Sequence, residues 1–144
     1  MSPPVFEDNT SISGDERLFR RVHLSHLVRD DDTGFARVSS VVFRDKELSV
    51  IIESVLMSSD GSVESCLNGS VAHKLVSITA HDARQFNQAV CRDPLPGDLS
   101  HGLVYGSKNA RRIHDGLRSV AAWVIPTGAP RYEEVEAERR MLGI

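Results

Sequence analysis

Leu18-Phe19-Arg20-Arg21-Val22-His23 sets three apolar side chains among three basic ones within six residues. Phe and Val suit a pleated, half-buried surface, and no glycine or proline interrupts the run, so it reads as a strand. Phe19 and Val22 do not keep one strict alternation. Polar groups beside a core cost free energy unless paired, so Arg20, Arg21 and His23 need either a structural partner or a function.

Upstream, residues 1–15 hold Pro3, Pro4, Gly14 and many small polar side chains. Only Val5, Phe6 and Ile12 are there to bury, and unless they dock the segment does not offset the entropy of being ordered. It is expected to be a mobile N-terminal arm. Downstream, Arg29-Asp30-Asp31-Asp32-Thr33-Gly34 is a solvated loop, and Ala36 to Phe43 is β-prone. Leu48, Ile51, Ile52, Val55 and Leu56 recur at three and four residues, which predicts a helix from about Glu47 to Met57. The β-branched residues there argue for a strand instead, but the spacing is the stronger evidence.

Val63 to Leu67 stays open between a short helix and one arm of a hairpin. Val71 to Ile78 reads as a strand leading into Thr79, a helix cap answered three residues later by Asp82. Ala83, Phe86, Ala89 and Val90 define the face of that helix, and Asp93-Pro94-Leu95-Pro96-Gly97 stops it. His101 to Tyr105 is a buried strand, and Ser107 is the expected cap of a helix reaching Ala121. Trp123-Val124-Ile125 returns to strand and Pro126 closes it. A last helix runs from Tyr132 to Leu142.

This order gives an α+β fold, a small mixed sheet with helices packed against it, with an α/β sheet as the alternative. Residues 16–130 form one domain, and residues 131–144 a helix packed on that domain or on a partner. At 144 residues the chain is long enough to bury a core without staples. Cys66 and Cys91 have no CxxC spacing and are expected to be reduced.

The formal charge of −3 and the absence of a Lys/Arg block argue against nucleic acid. Residues 1–72 carry 7 basic and 12 acidic groups, and residues 73–144 carry 10 and 8. That asymmetry allows head-to-tail association or an anionic ligand near the second half. No run of 18 apolar residues would cross a membrane, and the first 16 residues lack a basic start followed by an apolar stretch. A cytoplasmic location is expected.

None of the six histidines sits in HExxH or at a zinc-finger interval, so no metal is expected, and no other cofactor. Phosphate-loop and nucleophile-elbow motifs are missing. What remains is a set of scattered groups. His23, His101, Ser39 and Ser40 are the candidate catalytic residues. Arg20, Arg21, Lys108 and Arg111 are the candidate ligand-binding ones, the last two near a helix start that can favour an anion.

Arg21 or His23, Ser39 or Ser40, and Glu133 or Glu134 loosely resemble the ADP-ribosyltransferase pattern. The resemblance implies that the basic group and the serine would grip NAD while the glutamate activates the acceptor. The leading expectation is nonetheless a soluble domain that binds a protein partner or a second copy of itself. The alternative is a small enzyme acting on a nucleotide-like substrate.

Overall fold

A computed structural model describes residues 6–125 and 129–144. Eight strands run in chain order: β1 Arg17–His23, β2 Leu27–Arg29, β3 Ala36–Val38, β4 Glu47–Ile52, β5 His73–Thr79, β6 Ala89–Arg92, β7 His101–Tyr105 and β8 Ala122–Ile125. Four α-helices join them: α1 Glu53–Ser58, α2 Ala80–Gln85, α3 Arg111–Val120 and α4 Tyr132–Leu142. Short 3-10 turns cover Leu24–His26, Ser40–Phe43 and Glu64–Leu67. Six strands form one sheet in the order β6-β7-β4-β1-β5-β8, and β2 pairs with β3 beside it. The fold is α+β.

Every strand pairing in both sheets is antiparallel, so the βαβ crossovers of an α/β sheet are absent among the described strands. β1 lies inside the sheet, as its apolar content requires, and pairs along its whole length with β5, from Arg17 opposite Thr79 to His23 opposite His73. Its pairing with β4 covers only Leu18 opposite Ile52 and Phe19 opposite Ile51.

One face of the sheet buries Leu18, Val22, Leu48, Val50, Ile52, Val76, Ile78, Val90 and Val104. Ala80 and Ala83 of α2, Ile113 and Leu117 of α3, and Val135 of α4 complete this core. The other face has a smaller cluster of Phe19, Cys66 and Leu75, with Ile51, Leu56 and Leu67 packed on it.

Four local expectations change. Residues 47–52 are a strand, with Leu48, Val50 and Ile52 buried at period two, and the helix begins only at Glu53. Val50-Ile51-Ile52 are three β-branched residues in a row, and their χ1 stiffness favours the pleat over the helical spacing they also satisfy. Ser40–Phe43 is a 3-10 turn capped by Ser39, so the β-prone run ends at Val38.

Thr79 and Asp82 do form a capping box on α2, but that helix ends at Gln85, and Ala89 and Val90 belong to β6. Asn87 turns the chain with a positive φ of 61°. α3 starts after Ala110 rather than at Ser107. Gly116 inside α3 has a packing reason, because a Cβ there would lie 2.3 Å from the Phe86 ring.

Residues 6–15 dock along the sheet edge at β6. Asn9 N–H donates to the Val90 carbonyl at 2.8 Å, Arg84 pairs with Asp8 at 3.0 Å, and Ile12 is buried. At the other end α4 lies on the domain. Val135 is buried in the main core, and the Arg139 guanidinium donates to the carbonyls of Leu24 and Leu27. Pro126, expected to close β8, lies outside the described residues.

Candidate functional site

Beyond Phe19, β1 and β4 lose their pairing, and Arg20 bridges the gap. Its Nη1 donates to the Ser49 carbonyl at 3.1 Å, and its Nη2 lies 3.8 Å from Asp45. Burial pulls its pKa below the ordinary guanidinium value, opposed by the Asp45 charge. The Nε of Arg20 is buried without a hydrogen-bond partner among the described residues. The parted strands leave a hollow bounded by Phe19, Arg20, Arg21, Ser49, Ile51, Asp98 and His101.

Two adjoining hollows continue it. One reaches Arg21, Cys66, Asn68, Asp98 and Ser100, and the other reaches Leu56, Gly97, Leu99 and Ser100. Asp98 borders all three, so together they make one cleft on the thinly covered face of the sheet.

His101 is the best-oriented group in the cleft. Its Nδ1 lies 3.1 Å from an Asp93 carboxylate oxygen and 2.9 Å from the Asp93 carbonyl. Two acceptors at one ring nitrogen favour a proton on Nδ1, and in the neutral ring Nε2 is then the lone-pair acceptor. The pairing follows from the β6–β7 register. Arg92 stands opposite Gly102, and the next residue, Asp93, donates its N–H to the His101 carbonyl at 3.0 Å.

Arg21 is exposed at the cleft wall, and among the described residues no hydrogen bond or ion pair engages its guanidinium. Ser100 Oγ donates to Asp98 at 2.7 Å, which fixes that carboxylate. Burial pushes the Cys66 thiol up, so it is a poor nucleophile near neutral pH.

The other candidates stand elsewhere. His23 bonds through Nδ1 to Ser25 Oγ at 2.7 Å and meets the His73 ring edge-on at 5.1 Å. It borders none of the three hollows of the cleft. Burial first, and then His23, lowers the pKa of His73. Ser39, Ser40 and Arg111 come together in a different hollow, with Arg37, Asp115 and Arg118.

Lys108 is buried, and its Nζ donates to the carbonyls of Val104 at 2.7 Å, Lys46 at 3.2 Å and Gly106 at 3.2 Å. Those bonds use all three of its protons. Glu133 and Glu134 lie exposed in the first turn of α4 and border neither the cleft nor the Ser39 hollow. Whether Arg21 or His23 is taken as the basic group, the three parts of the ADP-ribosyltransferase pattern lie in three separate places.

Among the described residues no group of three or more His, Cys, Asp or Glu side chains is arranged to hold a metal ion. No helix among them is long and apolar enough to cross a membrane. No protein-family model, curated protein or solved structure matches the chain.

Asp93, Asp98, Ser49 and Ser100 were not picked out by sequence reasoning. Asp93-Pro94-Leu95-Pro96-Gly97 reads there only as a helix stop. Its value appears once β6 and β7 are recognised as antiparallel neighbours, which sets Asp93 against His101 across the connecting loop.

Proposed function

We propose that the chain is a small enzyme that binds an anionic, nucleotide-like substrate in this cleft. The supporting observation is the Asp93–His101 pair, proton on Nδ1 and Nε2 free, in the same hollow as the unengaged Arg21. Arg21 anchors the anionic group, in the role that guanidinium forks perform for phosphate and carboxylate. His101 Nε2 accepts a proton from an attacking hydroxyl or water and returns it to the leaving group. Asp93 holds the ring and stabilises the imidazolium formed between those two steps.

The test is a titration of 15N-labelled protein with AMP, ADP-ribose and NAD, with products followed by chromatography. At least one of these should shift the Arg21 and His101 resonances. Arg21→Ala should weaken its binding tenfold or more. His101→Gln should leave binding within threefold and lower turnover by about 10²–10⁴. If no nucleotide moves either residue, the reading fails.

A second reading, association through α4, is favoured by the apolar end of the chain. Met141 is 87% exposed, and Leu142 and Ile144 are also exposed. Deleting the helix would also remove the buried Val135 and the Arg139 bonds, so Met141→Lys with Ile144→Lys is the cleaner variant. Light scattering should show a loss of self-association relative to the unaltered chain. A monomer in both forms removes the homo-oligomer.

A further inference from the structure

The hollow that gathers Ser39, Ser40 and Arg111 lies apart from the cleft, between the β2–β3 pair and α3, and measures about 340 Å³. Arg37 of β3 and Arg111 and Arg118 of α3 border it, with Asp115 as its one carboxylate. Arg44 does not border the hollow, but its Nη2 donates to Ser40 Oγ at 3.5 Å.

Asp115 answers only part of this charge. It binds Arg111 Nε at 3.0 Å and lies 4.0 Å from His114 Nε2. Among the described residues no hydrogen bond or ion pair engages the guanidinium of Arg37 or of Arg118. Ser39 Oγ accepts from the Val41 N–H and Ser40 Oγ from Arg44, so both hydroxyl protons remain available to an acceptor.

The frame is firm. Val42 and Phe43 of the 3-10 turn are buried in the same core as Ile113 and Leu117 of α3, and Ala36 and Val38 anchor β3 there. Like charges held close on a rigid frame repel unless an anion joins them.

We propose that this hollow is a binding site for a phosphate group, gripped by Arg37 and Arg118 with the Ser39 and Ser40 hydroxyls donating to its oxygens. Asp115 tunes the site by occupying Arg111. Forked guanidinium donors and hydroxyls suit a tetrahedral oxyanion, which offers several acceptor directions at once. The site is independent of the cleft, and neither reading needs the other.

Inorganic pyrophosphate and AMP are titrated separately into 15N-labelled protein at low salt, reading backbone amides and arginine Nε–Hε signals. Pyrophosphate should give saturable shifts at Arg37, Ser39, Ser40 and Arg118, weakening as sodium chloride is raised. Arg37→Gln and Arg118→Gln should each raise the dissociation constant at least fivefold. Asp115→Asn should lower it, and Arg21→Ala should leave it unchanged.

Shifts here with AMP as well would make the ligand a phosphorylated organic molecule, whereas pyrophosphate alone would make it an inorganic anion. Unsaturable shifts spread over all the arginines, or a dissociation constant unmoved by both Gln variants, would overturn the proposal.

Discussion

The two faces of the six-stranded sheet are built to different rules. One is a continuous apolar layer from Val90 and Val104 at one side to Val76 and Ile78 at the other, roofed by α2, α3 and α4. The opposite face has a small cluster around Phe19, Cys66 and Leu75, and then gives way to Arg21, Ser49 and Asp98, which are exposed. Stability is concentrated on the first face. The second is left free to carry polar groups, and Arg21, Ser49 and Asp98 avoid a desolvation cost by staying exposed. The contrast also places the cleft, since it opens where β1 and β4 part and the apolar cover ends.

Mutations should show this contrast as a steep gradient. Leu48→Ala, on the packed face and fully buried, should cost about 2–5 kcal/mol in chemical denaturation. Gly116→Ala, in the roof of that face, should cost about 1–3 kcal/mol despite alanine's better helix propensity, because the Phe86 ring must move. Arg21→Ala, on the open face, should change stability by less than about 0.5 kcal/mol while weakening nucleotide binding. If Arg21→Ala proved as damaging as Leu48→Ala, the division between the faces would collapse.

Lys108 sharpens the same contrast through pH. Burial lowers its pKa to about 8, below its ordinary value of 10.5. Between those values the unfolded chain binds more protons than the folded one, so this residue's contribution to stability rises with pH across that window. Below about pH 8 the ammonium is charged in both states and the contribution is flat. Lys108→Met, which strands three carbonyls, should cost about 1–3 kcal/mol at pH 7. Its deficit against the unaltered chain should widen between pH 8 and pH 10.5, as followed by urea titration. A deficit that shrinks over that range would mean that the three carbonyls hold the charged form more firmly than burial opposes it.

Much of the architecture was legible in residues 71–125 and 132–142. The Thr79–Asp82 cap, the strand His101–Tyr105 and the helix Tyr132–Leu142 stand where propensity and turn chemistry put them. Residues 47–57 were not legible, because Leu48, Ile51, Ile52 and Val55 satisfy the helical period while Leu48, Val50 and Ile52 satisfy the strand period. Only pairing with β7 decides between them. Likewise, Ala89 and Val90 continue the apolar spacing of α2, and only the turn at Asn87 separates them from it.

Arg20, Arg21 and His101 are candidates by residue type alone, and all three border one hollow. The grouping of Ser39, Ser40 and Arg111 into a second hollow was not legible, because it depends on how α3 crosses the 3-10 turn. Asp93 was missed for a similar reason. Its partner lies eight residues away across an antiparallel pair, a relation that no helical or strand period expresses.

The register of β1 has a further consequence during synthesis. Its full-length partner, β5, ends at Thr79, and β4 meets it at only two positions. As the chain leaves the ribosome, Leu18, Phe19 and Val22 have emerged well before the strand that covers most of their backbone. Such delayed, distant pairing slows folding and leaves an unpaired strand edge open to other chains in the meantime. The basic pair Arg20-Arg21 lies within that waiting segment, where its charge repels other copies.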